Sequence, residues 1–246
     1  MNMDRREPAE DEGVPSEIAY SMNNYAPVGR ALKVIDYPEL LLKKPGHLFH
    51  KINNNPEPID FAILFGFSAL FLLIYGVVVG SFLGGWQYVI APAKIVLGLY
   101  LSAVICLPSL YIFTCIGQAR IGFVSVMGNL LIALTLVGIL LIGFAPVAWV
   151  FSQSTNSIAF IGFIHLAIYL VTLLFGFKLL YQGLQTVSEQ QNGFIPVWIV
   201  IFLLVSLQMG TSIRPIIGRS DTFLPTSKTF FLSHWGQTIS DNPQGK

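Results

Sequence analysis

Between residues 61 and 213 the chain carries only four charged side chains, Lys94, Arg120, Lys178 and Glu189. They are set among apolar runs of about 20 residues or more, the length a helix needs to cross the hydrocarbon of a bilayer. A backbone crosses hydrocarbon only if its N–H and C=O groups bond one another, which leaves helices and closed barrels. The apolar/polar alternation over about ten residues that marks a membrane-barrel strand is not seen in these runs. The expected fold is therefore an all-α membrane protein, a bundle of five transmembrane helices flanked by interfacial N-terminal and C-terminal segments.

Composition points the same way. The chain is 54% hydrophobic and 11% charged, against about 25% charged residues in an ordinary soluble domain, so it requires lipid as its solvent. A formal net charge of +1 and no clustered basic surface argue against nucleic acid as a partner, because phosphate neutralisation needs concentrated positive charge. Cys106 and Cys115 lie nine residues apart, about 13 Å of helical rise and on opposite faces, so they read as packing residues and not as a bridge within one helix.

Residues 1–30 read as a disordered acidic tail. Arg5 and Arg6 are mixed there with Asp4, Glu7, Glu10, Asp11, Glu12 and Glu17, without the apolar core of a signal peptide. In residues 31–58 apolar positions alternate with Lys33, Lys43, Lys44 and Lys51, and Pro38 and Pro45 are expected to break the run into short amphipathic pieces. These pieces are expected to lie on the membrane face with their lysines among lipid headgroups. The transmembrane domain covers residues 59–213, with spans at about 59–82, 92–116, 123–150, 158–181 and 194–213. Asp60 is placed to cap the first span or face its dipole. Pro108 is expected to kink the second span. Residues 214–246 form a polar, interfacial tail.

Lysine and arginine near the span ends set the orientation. A cytoplasmic N-terminus puts Lys43, Lys44, Lys51, Arg120 and Lys178 inside, although an odd number of spans then sends Arg214, Arg219 and Lys228 outside.

Gly76, Gly80 and Gly84 recur every four residues and line one face of the first span. They make a packing seam, for self-association or a partner on one reading and for another helix of the same chain on the other. Polar residues at membrane depth are costly and therefore informative. Asn129, His165, Gln208, Ser212 and Arg214 form the candidate polar site, with Ser206, Gly210 and Arg214 on one face of the last span and Pro215 stopping it. His165 has no second histidine inside a span and no span has an acid at its middle, so no haem, metal or other cofactor is expected. The motifs of intramembrane proteolysis and of phosphate-binding loops are missing as well.

The stretch from Gln208 through Arg214-Pro215 to Gly218, together with Cys106-Leu107-Pro108-Ser109-Leu110-Tyr111-Ile112-Phe113, resembles a family of uncharacterised bacterial polytopic inner-membrane proteins. The resemblance implies a multi-pass helical protein of the bacterial cytoplasmic membrane and carries no activity with it. At the level of fold the chain is also similar to the Yip-type five-span proteins. The function these features point to is a non-catalytic subunit or scaffold of a larger membrane assembly, in contact with lipids and with other membrane proteins or copies of itself. One alternative is a small-solute transporter or channel. Another is an enzyme acting on lipid headgroups, with Arg214 or Arg120 gripping a phosphate and Asp221 or His234 supplying acid or base.

Overall fold

A computed structural model describes residues 33–81, 87–117, 121–154, 158–185 and 194–212, and all regular structure among them is helical. The helices are α1 (Asp36–Lys43), α2 (Pro45–Asn54), α3 (Pro58–Ser81), α4 (Gln87–Ile116), α5 (Phe123–Ser154), α6 (Ile158–Gln185) and α7 (Ile195–Ser212). Four stretches are long and apolar enough to cross a membrane: Pro58–Ser81, Tyr88–Ile116, Phe123–Ser154 and Phe160–Gln185. Within α7 the apolar stretch Ile195–Met209 is shorter. The acidic tail, Gly84, Arg120, Arg214 and the C-terminal tail lie outside the described residues.

Prolines punctuate the N-terminal helices. Lys44 and Asn55, each followed by proline, hold φ at −145° with ψ at 66° and 69°. Both lie outside the helical region, which a following pyrrolidine ring disfavours by steric clash. Pro45 and Pro58 then occupy the first position of α2 and α3, where a missing N–H costs nothing. Pro38 departs from the sequence expectation. It falls in the first turn of α1 and does not break it, because the amide it lacks has no partner there in any case. Pro92 and Pro108 both lie inside α4, which begins at Gln87, ahead of the expected start at residue 92.

Contacts between side chains fix the helix directions. Gly76 on α3 faces Pro92 on α4, and Phe65 meets Tyr100 with ring centroids 4.7 Å apart, so these two helices are antiparallel. The α3 and α5 helices run parallel: Thr135 Oγ1 donates to the Leu64 carbonyl at 3.2 Å, and Gly138 faces Phe71. Gly176 on α6 sits against Val137 on the antiparallel α5. Finally, α7 runs antiparallel to both α4 and α6. Phe194 stacks on Phe113, Trp198 Nε1 donates to the Cys106 carbonyl at 2.9 Å, Trp198 meets Phe177, and Ser206 pairs with Tyr169. The protein has a near end, where α1 and α2 sit beside the start of α3 and α5, and a far end. The α5 helix is central, with 50% of its apolar window buried against 33% for α3 and for α4.

Glycine permits the closest of these approaches. A Cβ on Gly76 would collide with the Pro92 backbone, whereas one on Gly66 or Gly143 would meet nothing within 4 Å. Gly76→Ala is expected to force α3 from α4 and destabilise the protein by about 1–3 kcal/mol, the usual cost of overpacking. Gly66→Ala and Gly143→Ala should be neutral or slightly stabilising through helix propensity. Thermal unfolding of the three variants in one detergent checks the contrast.

Candidate functional site

The near end holds a buried polar centre built from three helices. At the start of α3, Asp60 occupies the first turn of the segment Glu57-Pro58-Ile59-Asp60. Its Oδ2 accepts from the Glu57 N–H at 3.2 Å, while its own N–H donates to the Glu57 carbonyl at 3.0 Å. The first of these is the N3-to-N-cap half of a capping box, the second an ordinary backbone turn bond, and the carboxylate stands at the positive end of the helix dipole. The side chain is 0% exposed, and its other oxygen, Oδ1, accepts from two further elements. Tyr37 of α1 donates its hydroxyl to Oδ1, and Lys51 of α2 donates from Nζ at 2.5 Å. Lys51 closes the triangle by donating to the Tyr37 oxygen at 3.1 Å, with Glu57 Oε2 at 3.8 Å.

This arrangement departs from the interfacial reading of residues 31–58. Tyr37, Leu41, Leu48, Phe49 and Ile52 are at most 2% exposed and pack with Leu64, Ile132 and Leu179 of the long helices. The apolar face of α1 and α2 is thus buried in protein, and Lys51 is engaged in the Asp60 centre. Two glycines make the sockets: side chains on Gly128 of α5 and Gly183 of α6 would occupy the space filled by Ile52 and Phe49. The outer side of α1 and the residues before it stay exposed, with Lys33, Val34, Ile35, Glu39, Leu42 and Lys43, as do Lys44 and residues 54–59. The exposed Lys43–Glu39 pair at 2.7 Å adds little to stability.

Beside this centre Asn129 Nδ2 donates to Asn53 Oδ1 at 3.0 Å, and Ser125 Oγ donates to the Ile52 carbonyl at 3.4 Å. Asn129 therefore works as a seat for α2. His165 lies elsewhere: its Nδ1 is 2.9 Å from the Tyr75 hydroxyl, in the far half of the molecule. Because α5 and α6 are antiparallel, Asn129 and His165 stand apart by about 28 Å of helical rise, so these two do not share one site. Gln208 is partly buried on α7, the side chain of Ser212 is outside the described set, and so is Arg214. Of the glycine seam, Gly76 packs on Pro92 of the same chain, Gly80 is buried, and Gly84 is outside the described set.

Among the described residues no three of His, Cys, Asp and Glu come together as a metal site. Comparisons with protein-family models, with curated proteins and with solved structures find no match for this chain.

Sequence reasoning missed the Tyr37–Lys51–Asp60 centre. Its one visible sign was an acid at the threshold of the first span with a lysine a short loop before it.

The centre sets a pH dependence. Burial and the bond to Asp60 raise the Tyr37 phenol above its ordinary 10.0, with Lys51 pulling the other way. For Lys51, burial lowers the value, but the bonds to Asp60 and Tyr37 outweigh it and hold the ammonium above its ordinary 10.5. Both groups keep their protons more tightly when α1 and α2 are docked. Their contribution is complete below pH 10.0, the lower ordinary value, and is lost as pH rises through the raised values. Hydrogen exchange over residues 33–54 should therefore show α1 and α2 loosening as pH rises beyond 10.5, the higher of the two ordinary values, while the long helices stay protected. Asp60→Asn should loosen the same segment at neutral pH by about 2 kcal/mol, since it removes a charged acceptor from two donors. Adding Lys51→Met to Asp60→Asn should cost much less than Lys51→Met alone, a coupling that a double-mutant cycle measures.

Proposed function

We propose that the protein is a non-catalytic multi-pass subunit or scaffold of a larger membrane assembly. The observation that carries this reading is the fate of Asp60, a fully buried carboxylate in the first turn of α3. Its Oδ1 is occupied in locking α1 and α2 onto the long helices and its Oδ2 in capping α3, an arrangement suited to structure and not to acid–base chemistry. The result is a rigid near-end platform whose outer side carries Lys33, Lys43, Val34, Ile35 and Leu42, a mixture of cationic and apolar groups suited to lipid headgroups and partner chains.

In this reading α7 is a fifth span. Its 18 residues rise about 27 Å, close to the thickness of the hydrocarbon core. It is packed along α4 and α6 from Phe194 to Ser206. The near end faces the cytoplasm, because Lys33, Lys43, Lys44 and Lys51 gather there. The Gln208-to-Gly218 and Cys106-to-Phe113 resemblance supports the bacterial inner membrane as the location.

Purification in mild detergent followed by native mass measurement tests the assembly. The expected outcome is a complex with other subunits in fixed stoichiometry, weakened by Asp60→Asn while the long helices keep their thermal stability. A monomer at all concentrations, with no protein in fixed ratio, overturns it.

A further inference from the structure

The far half of the molecule holds a polar interior that the assembly reading does not use. His165, Tyr169 and Thr172 follow one another at i, i+4 and i+7 and so share one face of α6. His165 is 7% exposed and Thr172 0%. Tyr75 of α3, 3% exposed, bonds to His165 Nδ1, and Ser206 of α7, 6% exposed, bonds to Tyr169. Three helices thus turn polar groups toward one another at this level. Toward the near end the same interior becomes apolar: Phe177, Trp198 and Phe202 pack ring against ring with centroids 5.2–6.1 Å apart, and Trp198 is pinned by its bond to the Cys106 carbonyl.

One atom in the polar half is unsatisfied. His165 Nε2 is buried and has no hydrogen-bond partner among the described residues. The Tyr75 hydroxyl hydrogen needs an acceptor and has His165 Nδ1 beside it, which places the ring proton on Nε2. A buried N–H donor is thereby directed into the interior with nothing to receive it. Buried donors of this kind are met by internal water or by a ligand oxygen.

We propose that the far half encloses a hydrated vestibule, entered from the far end, in which His165 Nε2 donates to water or to the oxygen of a small solute that replaces it. The Phe177–Trp198–Phe202 cluster is its floor, so the vestibule is blind and does not cross the protein. His165 lies seven residues into α6, about 10 Å of rise from the helix start, a depth that a short file of water spans.

Thiol labelling tests this in a Cys106→Ala, Cys115→Ala background. Ser206→Cys stands at the vestibule wall, Leu180→Cys lies below the floor, and Ser154→Cys is an exposed control at the far end. A charged, membrane-impermeant methanethiosulfonate reagent should modify Ser206→Cys at least about tenfold faster than Leu180→Cys, since only a hydrated thiol ionises readily. In vesicles it should do so from the far-end side alone. Equal, slow modification at both sites beside a reactive Ser154→Cys overturns the proposal. The second measurement leaves the interior unaltered: nitrogen-15 spectra of ring-labelled histidine in the unmodified chain, with His165→Gln for assignment. The expected signal is a protonated Nε2 whose hydrogen exchanges rapidly with water. A proton protected for hours, or a ring protonated on Nδ1, also overturns it.

Discussion

Lipid tails are as apolar as leucine, so two helices in a bilayer gain almost nothing by hiding apolar side chains from their solvent. What draws them together is close approach, which multiplies weak dispersion contacts, and this chain secures it by leaving out side chains at the seams. Gly76 against Pro92, Gly138 against Phe71 and Gly176 against Val137 join α3 to α4, α3 to α5 and α5 to α6. Hydrogen bonds then fix the register at points where sliding would break them. Thr135 reaches the Leu64 carbonyl across one seam, and Trp198 reaches the Cys106 carbonyl across another.

The docking of α1 and α2 follows the same rule with one addition. Gly128 and Gly183 again supply the recesses, here for Ile52 and Phe49. These two helices are polar on their outer side and carry several charges, so an apolar face alone would allow them to sit on the bundle or on the headgroup layer with similar ease. Asp60 distinguishes the two places. In the headgroup layer Lys51 would be solvated, whereas on the bundle it meets a carboxylate already held by the Glu57 N–H and the helix dipole. The acid is thus oriented before its partners arrive, which reduces the entropy lost when the three side chains converge.

The long helices were legible in the sequence because four charges in residues 61–213 leave few other solvents for the chain. The capping role of Asp60 was legible too, since proline at the first helical position with an acid two residues later is a local signal. The place of residues 36–54 was not. An amphipathic pattern records that one face is apolar and says nothing about whether that face meets lipid or a protein groove. The grooves here come from single glycines on helices far away in sequence. The separation of Asn129 from His165 has a related cause. Asn129 and His165 both stand near the start of their own helices, and only the antiparallel arrangement sends those starts to opposite ends.

That separation divides the polar groups by what surrounds them. At the near end, the charges occur as an acid and a base within bonding distance, with a phenol between them. Removing Lys51 would leave the Asp60 carboxylate buried without its counter-charge, a penalty larger than the net gain of the pair, whereas Lys51 is part-exposed and could turn to solvent. Such a centre resists rearrangement and is suited to holding a platform in one position. In the far half the Tyr75, Tyr169, Thr172 and Ser206 hydroxyls are each bonded and His165 Nε2 is left unsatisfied, while at the near end Asn53 Nδ2 and Asn129 Oδ1 are unsatisfied as well. A neutral donor such as the His165 N–H exchanges one water or solute for another at smaller cost than an ionised group would. Rigidity at one end and exchange at the other are compatible within one molecule because the Trp198 cluster, fully buried between them, transmits neither water nor charge.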